Sequence, residues 1–89
     1  MLNPIITFTD AVLEWADVNS CNPDAAEMEH QEDGGFLVRV PRSENFAALF
    51  HFDGNSRVDV KKRANRQTNW VRYTLDEFVA LVEGGERFA

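Results

Sequence analysis

Eighty-nine residues, 44 % apolar with seven Phe and two Trp, suffice for one hydrophobic core, and a charged content of 27 % excludes the composition of a disordered chain. A net charge of −6 opposes docking of the whole surface to anionic lipid or duplex DNA, and the longest apolar runs, 46–50 and 78–82, fall far short of the ~20 residues that span a bilayer. The single Cys21 excludes an internal disulfide; with no basic and apolar secretory leader at the N-terminus, it predicts a cytoplasmic chain with no membrane segment.

Phe8, Ala11, Val12, Trp15 and Ala16 recur at helical spacing, which predicts a first helix. Thr7 or Thr9 is its expected cap, with Asp10 in the first turn and Asp10, Glu14 and Asp17 stacked on the polar side. Asn19 to Pro23 is turn chemistry. Residues 24–33 admit two readings. Asn22-Pro23-Asp24 is a good start for a short helix, while Ala26, Met28 and His30 alternate with Glu27, Glu29 and Gln31 as in a strand. The Asp33-Gly34-Gly35 turn before Phe36–Val40 favours a hairpin, with one helical turn ahead of it, and Pro41 is expected to end the second strand.

In the next hairpin Ala48, Phe50 and Phe52 share a face, Asp53-Gly54-Asn55 turns the chain, and Val58 and Val60 return on that face. Arg57, Asp59 and Lys61 then point the other way. Residues 62–68 read as a polar, basic connection, and 69–73 as a short strand with Trp70 and Tyr73 on opposite faces. Thr74-Leu75-Asp76-Glu77 is a capping box, Leu75, Phe78, Val79 and Val82 form the stripe of a closing helix, and Gly84-Gly85 stops it. Leu37 and Leu81 fall outside the main apolar patterns and are candidate exposed anchors. The expected fold is a single α+β domain over 1–89: an N-terminal helix, an antiparallel meander of four or five strands, and a C-terminal helix, both helices on one face of the sheet.

Catalytic signals are poor. Cys21 with His30 or His51 would need an orienting carboxylate, and a thiol after a helix C-terminus is disfavoured as thiolate. Glu27 and His30 would share a helix face as metal ligands, but not a strand face; His51 and Asp53 would share a strand face. Phosphate-loop, dinucleotide and zinc-ribbon patterns are absent. The expectation is a protein that is not an enzyme and carries neither metal nor cofactor.

Charge is the informative feature. Asp10, Glu14, Asp17, Asp24, Glu27, Glu29, Glu32 and Asp33 all precede the first basic residue, Arg39, whereas six of the nine Lys and Arg lie between Arg57 and Arg72. Such segregation shapes which partners are attracted over a Debye length of ~8 Å. One reading is an acidic face built from Asp10, Glu14, Asp17, Glu27, Glu29, Glu32 and Asp33. It would dock on the basic surface of a larger, nucleic-acid-handling protein and occlude it. A solvated face that keeps a small protein soluble is the plain alternative. A competing reading uses Lys61, Lys62, Arg63, Arg66, Trp70 and Arg72 as a single-strand nucleic-acid platform, phosphates on the cations and bases on the rings. Self-association through the two charge patches, as a structural or assembly subunit, is a third. In size and acidity the chain resembles small phage or mobile-element inhibitors, including anti-CRISPR and DNA-mimic proteins. The resemblance implies inhibition by occlusion and rests on no motif.

Overall fold

The computed structural model describes residues 3–43, 46–64 and 67–88, with side chains described for 3–42, 47–61 and 69–88. In chain order it contains helix α1 (Pro4–Val18), a single 3-10 turn (Pro23–Ala25), strands β1 (Glu27–His30), β2 (Phe36–Ser43), β3 (Phe46–Phe52), β4 (Arg57–Ala64) and β5 (Gln67–Thr74), and helix α2 (Leu75–Glu83). The strands pair antiparallel in the order β1-β2-β3-β4-β5, and α1 and α2 pack on one face of the sheet around a shared core. The meander between two helices is the α+β architecture expected from the sequence.

Helix α1 begins earlier than its apolar stripe predicts. Asn3 is the cap, its side-chain oxygen accepting the Ile5 N–H at 2.9 Å, and Pro4 occupies the first helical position. Asn followed by Pro satisfies one orphan donor and presets φ, a stronger start than either threonine inside the stripe. Thr9 instead donates its hydroxyl to the Ile5 carbonyl within the helix, and Asp10 falls beyond the first turn, which holds no carboxylate. The Pro23–Ala25 turn followed by β1 resolves the ambiguity of 24–33 as helical turn and then strand.

Three turn hydrogen bonds set the phase of the sheet. Gln31 N–H donates to Gly35 O (2.7 Å), Asp53 N–H to Arg57 O (3.0 Å) and Leu75 N–H to Ser56 O (2.8 Å). Each joins residues standing directly opposite one another when the strand registers are extended by one pair. Hydrogen-bonded and non-bonded pairs alternate along an antiparallel ladder, so each strand turns its odd- and even-numbered backbone groups toward different sides. In β2 the odd residues face β1 and the even ones β3. Pro41, odd, points its missing N–H toward β1, whose pairing stops at Glu27↔Arg39. This is why Pro41 does not end β2: it pairs opposite Ala47, and the register shifts only between Pro41 and Ser43.

The predicted basic connection over 62–68 is also corrected. β4 continues to Ala64 and β5 starts at Gln67, with Lys62↔Asn69, Arg63↔Thr68 and Ala64↔Gln67 in register, so the two strands form one long hairpin. Pairing of β4 with β5 along the whole hairpin overrides the weak strand propensity of these polar residues.

The core joins Phe8, Val12 and Trp15 of α1 to Val38, Val40, Phe50, Phe52, Val58 and Val60 of the sheet and to Phe78 and Val82 of α2. Each such side chain contributes roughly 1.5–3 kcal/mol on burial. Phe8 stacks on Phe52 at 5.0 Å, and Trp15 meets Phe50 edge-on at 5.0 Å. Phe88, which no periodicity marks, is also buried, stacked on Phe78 at 5.6 Å and edge-on to Tyr73 at 5.8 Å. Trp15 Nε1–H donates to the Arg87 carbonyl at 3.1 Å, so the C-terminal tail closes the core over α1. Leu81 is partly buried against this core and is not an exposed anchor.

Helix α2 has the predicted capping box: Glu77 N–H donates to Thr74 Oγ1, and Thr74 N–H to Glu77 Oε1, both at 3.1 Å. In the β3–β4 turn Gly54 has φ +89°, and a Cβ there would lie 2.6 Å from the Gly34 carbonyl oxygen, because the two hairpin turns abut.

Candidate functional site

The fold converts charge order along the chain into charge order between layers. Helices α1 and α2 contain Asp10, Glu14, Asp17, Asp76, Glu77 and Glu83 and not one Lys, Arg or His. The strands hold seven of the nine Lys and Arg against three carboxylates. Packing the stripe of α1 on the sheet turns Asp10, Glu14 and Asp17 outward, and all three are exposed. Asp24, beside the end of α1, is exposed as well.

The remaining sequence-predicted carboxylates lie elsewhere. Glu27 stands opposite Arg39, and Glu29 opposite Leu37, which in turn faces His51. Directly opposed residues share a face, so Glu27 and Glu29 project from the side of the sheet that the helices leave open. Glu32 and Asp33 are exposed in the β1–β2 turn, where Asp33 Oδ1 accepts the Gly35 N–H at 2.9 Å. The structure therefore groups Asp10, Glu14 and Asp17, groups Glu27 and Glu29, and puts the two groups on opposite sides of the sheet. Among the described residues none of these carboxylates makes an ion pair.

The open face carries one cross-strand row, Glu29–Leu37–His51–Asp59–Arg72, contributed by all five strands. Asp59 Oδ1 accepts from Arg72 Nε at 3.0 Å, and its Oδ2 lies 3.7 Å from His51 Nδ1. The hydrogen bond to Asp59, with its charge, pushes the Arg72 guanidinium further above its ordinary value. The adjacent row places Lys61 opposite Trp70, with Nζ 5.9 Å from the ring centroid. Trp70 is 47 % exposed, whereas Tyr73, on the other face, packs against the core. Gln31, Leu37, His51, Asp59, Trp70 and Arg72 line a wide, shallow depression of about 650 Å³. Leu37 is thus part of its floor and only partly exposed.

Of the predicted cationic set, the structure brings Lys61, Trp70 and Arg72 together. Lys62 and Arg63 lie in β4 with side chains outside the described residues, and Arg66 lies outside them altogether. Glu27 and His30, being on a strand, point to opposite faces; His30 stacks on Phe36 at 4.7 Å on the helix side. Asp53 uses Oδ1 to accept the N–H groups of Asn55, Ser56 and Arg57. Desolvation is the largest single influence and raises its pKa, but those three donors and the Arg57 charge together outweigh it and hold it below the ordinary carboxylate value. Among the described residues no three His, Cys, Asp or Glu side chains are grouped as metal ligands would be. Cys21 packs against the core on the helix side, across the sheet from His51. No described helix is long and apolar enough to cross a membrane.

Sequence reasoning missed two features: Asp59 as the hub of the open face, and α2 as a second base-free acidic helix. The first needs the strand registers. The second was legible in Asp76, Glu77 and Glu83, but only the shared helix layer gives it meaning. No family model, curated protein or solved structure matches the chain.

Proposed function

We propose that the protein is a non-enzymatic binding module whose anionic helix layer docks on a basic surface of a larger, nucleic-acid-handling protein and acts by occluding it. One observation supports this above the others: Asp10, Glu14 and Asp17 are exposed on a helix layer that contains no basic residue, with no ion pair among the described residues. Asp10 and Glu14 recur ~6 Å apart along the axis, from a 1.5 Å rise per residue. Phosphates of one duplex strand recur every ~3.4 Å, so the helix offers a sparser line of the same sign. Glu27, Glu29, Glu32 and Asp33 would extend the acidic contact only around the β1 edge.

The test is association with a captured partner across a salt series, comparing the native chain with D10N/E14Q/D17N. Slower association and a flattened salt dependence are expected of the variant. Unchanged capture would overturn the role of α1.

A second reading is favoured by Trp70 alone, which stands exposed with Lys61 over its ring and Arg72 two residues along β5. Single-stranded nucleic acid could stack a base there and place phosphates on the cations. Retention of single-stranded DNA or RNA in a low-salt gel shift, lost in Trp70→Ala, would select this reading over the first.

A further inference from the structure

We propose that β5 is a self-pairing edge: two copies of the chain join β5 to β5 antiparallel about a two-fold axis at Val71, making one ten-stranded sheet. This goes beyond helix-layer docking and does not depend on it.

The two edges of the sheet differ. β1 has four residues, two of them Glu27 and Glu29, and short charged edges resist pairing. β5 has eight residues, rich in strand formers, with Arg72 its only charge, and among the described residues no strand lies beyond it. The Leu75 N–H to Ser56 O bond makes Ser56↔Leu75 a hydrogen-bonded pair, so Val58↔Tyr73 and Val60↔Val71 are bonded pairs too. Val71 and Tyr73 therefore turn their backbone groups toward β4, while Trp70, Arg72 and Thr74 turn theirs to the open edge. The Thr74 N–H, donating to Glu77 Oε1 rather than to β4, has the orientation this phase requires.

An isologous pair must set outward-facing residues opposite outward-facing residues. A two-fold axis at Arg72 would oppose two guanidinium groups. An axis at Val71 instead sets Trp70 opposite Arg72 of the second copy, twice. Each indole, which already carries its own Lys61, gains a second cation whose charge stays paired with Asp59, and the two guanidinium groups are not opposed. Each such pair exchanges two backbone hydrogen bonds. Arg72 is the only charge on β5, whereas β1 carries Glu27 and Glu29. Of the two edges this one therefore opposes fewer like charges along the strand when two molecules of net charge −6 meet, although Asp76 and Glu77 follow it in α2.

The test is sedimentation equilibrium of the full chain at low and high salt. The expected mass is twice 10.1 kDa, held or strengthened as salt screens the repulsion between two acidic molecules. Trp70→Lys sets an ammonium against Arg72 and should return the single-chain mass, while Trp70→Glu sets a carboxylate there and should keep the dimer. Val71→Cys in a Cys21→Ser background should form a covalent dimer on mild oxidation, because a non-bonded pair at the axis holds its Cα atoms ~4.5 Å apart, within disulfide reach. A native mass of 10.1 kDa at every salt, a dimer indifferent to Trp70→Lys, or Val71→Cys that stays uncrosslinked would overturn the proposal. Circular dichroism of each variant separates loss of pairing from loss of fold.

Discussion

The helix layer and the open face of the sheet are two surfaces of one small core, and they are built by different rules. On the helices, apolar residues at 3.6-residue spacing are drawn inward and everything polar is left facing water. Because the charged part of that remainder is acidic in both α1 and α2, the helices' own charges are all negative, and a cation beside them, Arg42 over the Trp15 ring, comes from β2. On the sheet, alternate residues face away from the core, and neighbours there come from different strands. Glu29, Leu37, His51, Asp59 and Arg72 meet although 43 positions separate the first from the last. A helix keeps the charge of its own segment, whereas a sheet mixes the charges of several. The same chain therefore presents helices without a basic residue on one side, with Arg42 of β2 reaching the Trp15 ring at 5.7 Å, and a paired, mixed sheet face on the other.

The largest perturbation is one that removes what both layers share. Phe50→Ala takes out the ring that touches Trp15, Phe78 and Phe88 at once, and a loss of about 3–5 kcal/mol is expected by urea unfolding. If the loss were below about 1 kcal/mol, the two layers would not share a core. Phe88→Ala tests whether the tail is part of that core: about 3 kcal/mol should be lost, with little effect expected if the tail merely rests on the surface.

Capping of α2 comes next. Thr74→Ala should cost about 1 kcal/mol. It should also change the acid limb, since donation from the Thr74 N–H, then from its hydroxyl, holds Glu77 below the ordinary carboxylate value. A carboxyl depressed in the folded state stabilises above its unfolded pKa, and that stabilisation fades as pH falls through the folded value. Glu77→Gln should therefore lower the thermal midpoint slightly at neutral pH and flatten its decline below the ordinary carboxylate range, the two chains converging in acid. The smallest effects on stability belong to the charges. D10N/E14Q/D17N on the helix layer should stay within about 0.5 kcal/mol of the native chain by urea unfolding, and Arg72→Ala on the sheet should move the urea midpoint only slightly. A larger shift in the first would show that the acidic layer is structural rather than exposed for docking.

Elements with strong local signals were legible in the sequence. The Thr74–Glu77 capping box, the Phe8–Ala16 stripe and the turn at Asp53-Gly54-Asn55 appear where spacing places them, because each depends on residues within about one turn of each other. Features set by distant neighbours were not. Pro41 reads as a terminator until β1 proves too short to need its N–H. Residues 62–64 and 67–68 read as connection until β4 and β5 pair along their length. Phe88 belongs to no repeat, and only the closed tail shows it as core. The grouping of Asp10, Glu14 and Asp17 on one side of α1 was legible too, but the separation of Glu27 and Glu29 from them, across the sheet, was not.

The amino-acid order by itself determined the two helices, the meander between them with four or five strands, the apolar stripe of each helix, and the absence of basic residues from the first helical segment, since these follow from periodicity and local hydrogen bonding. Tertiary structure alone decided that α2 joins α1 in one anionic layer, that Glu27 and Glu29 face away from that layer, and that Asp59 sits between His51 and Arg72. The reason is physical: strand register and layer packing bring together residues far apart in the chain, and neither is encoded within any short window of sequence.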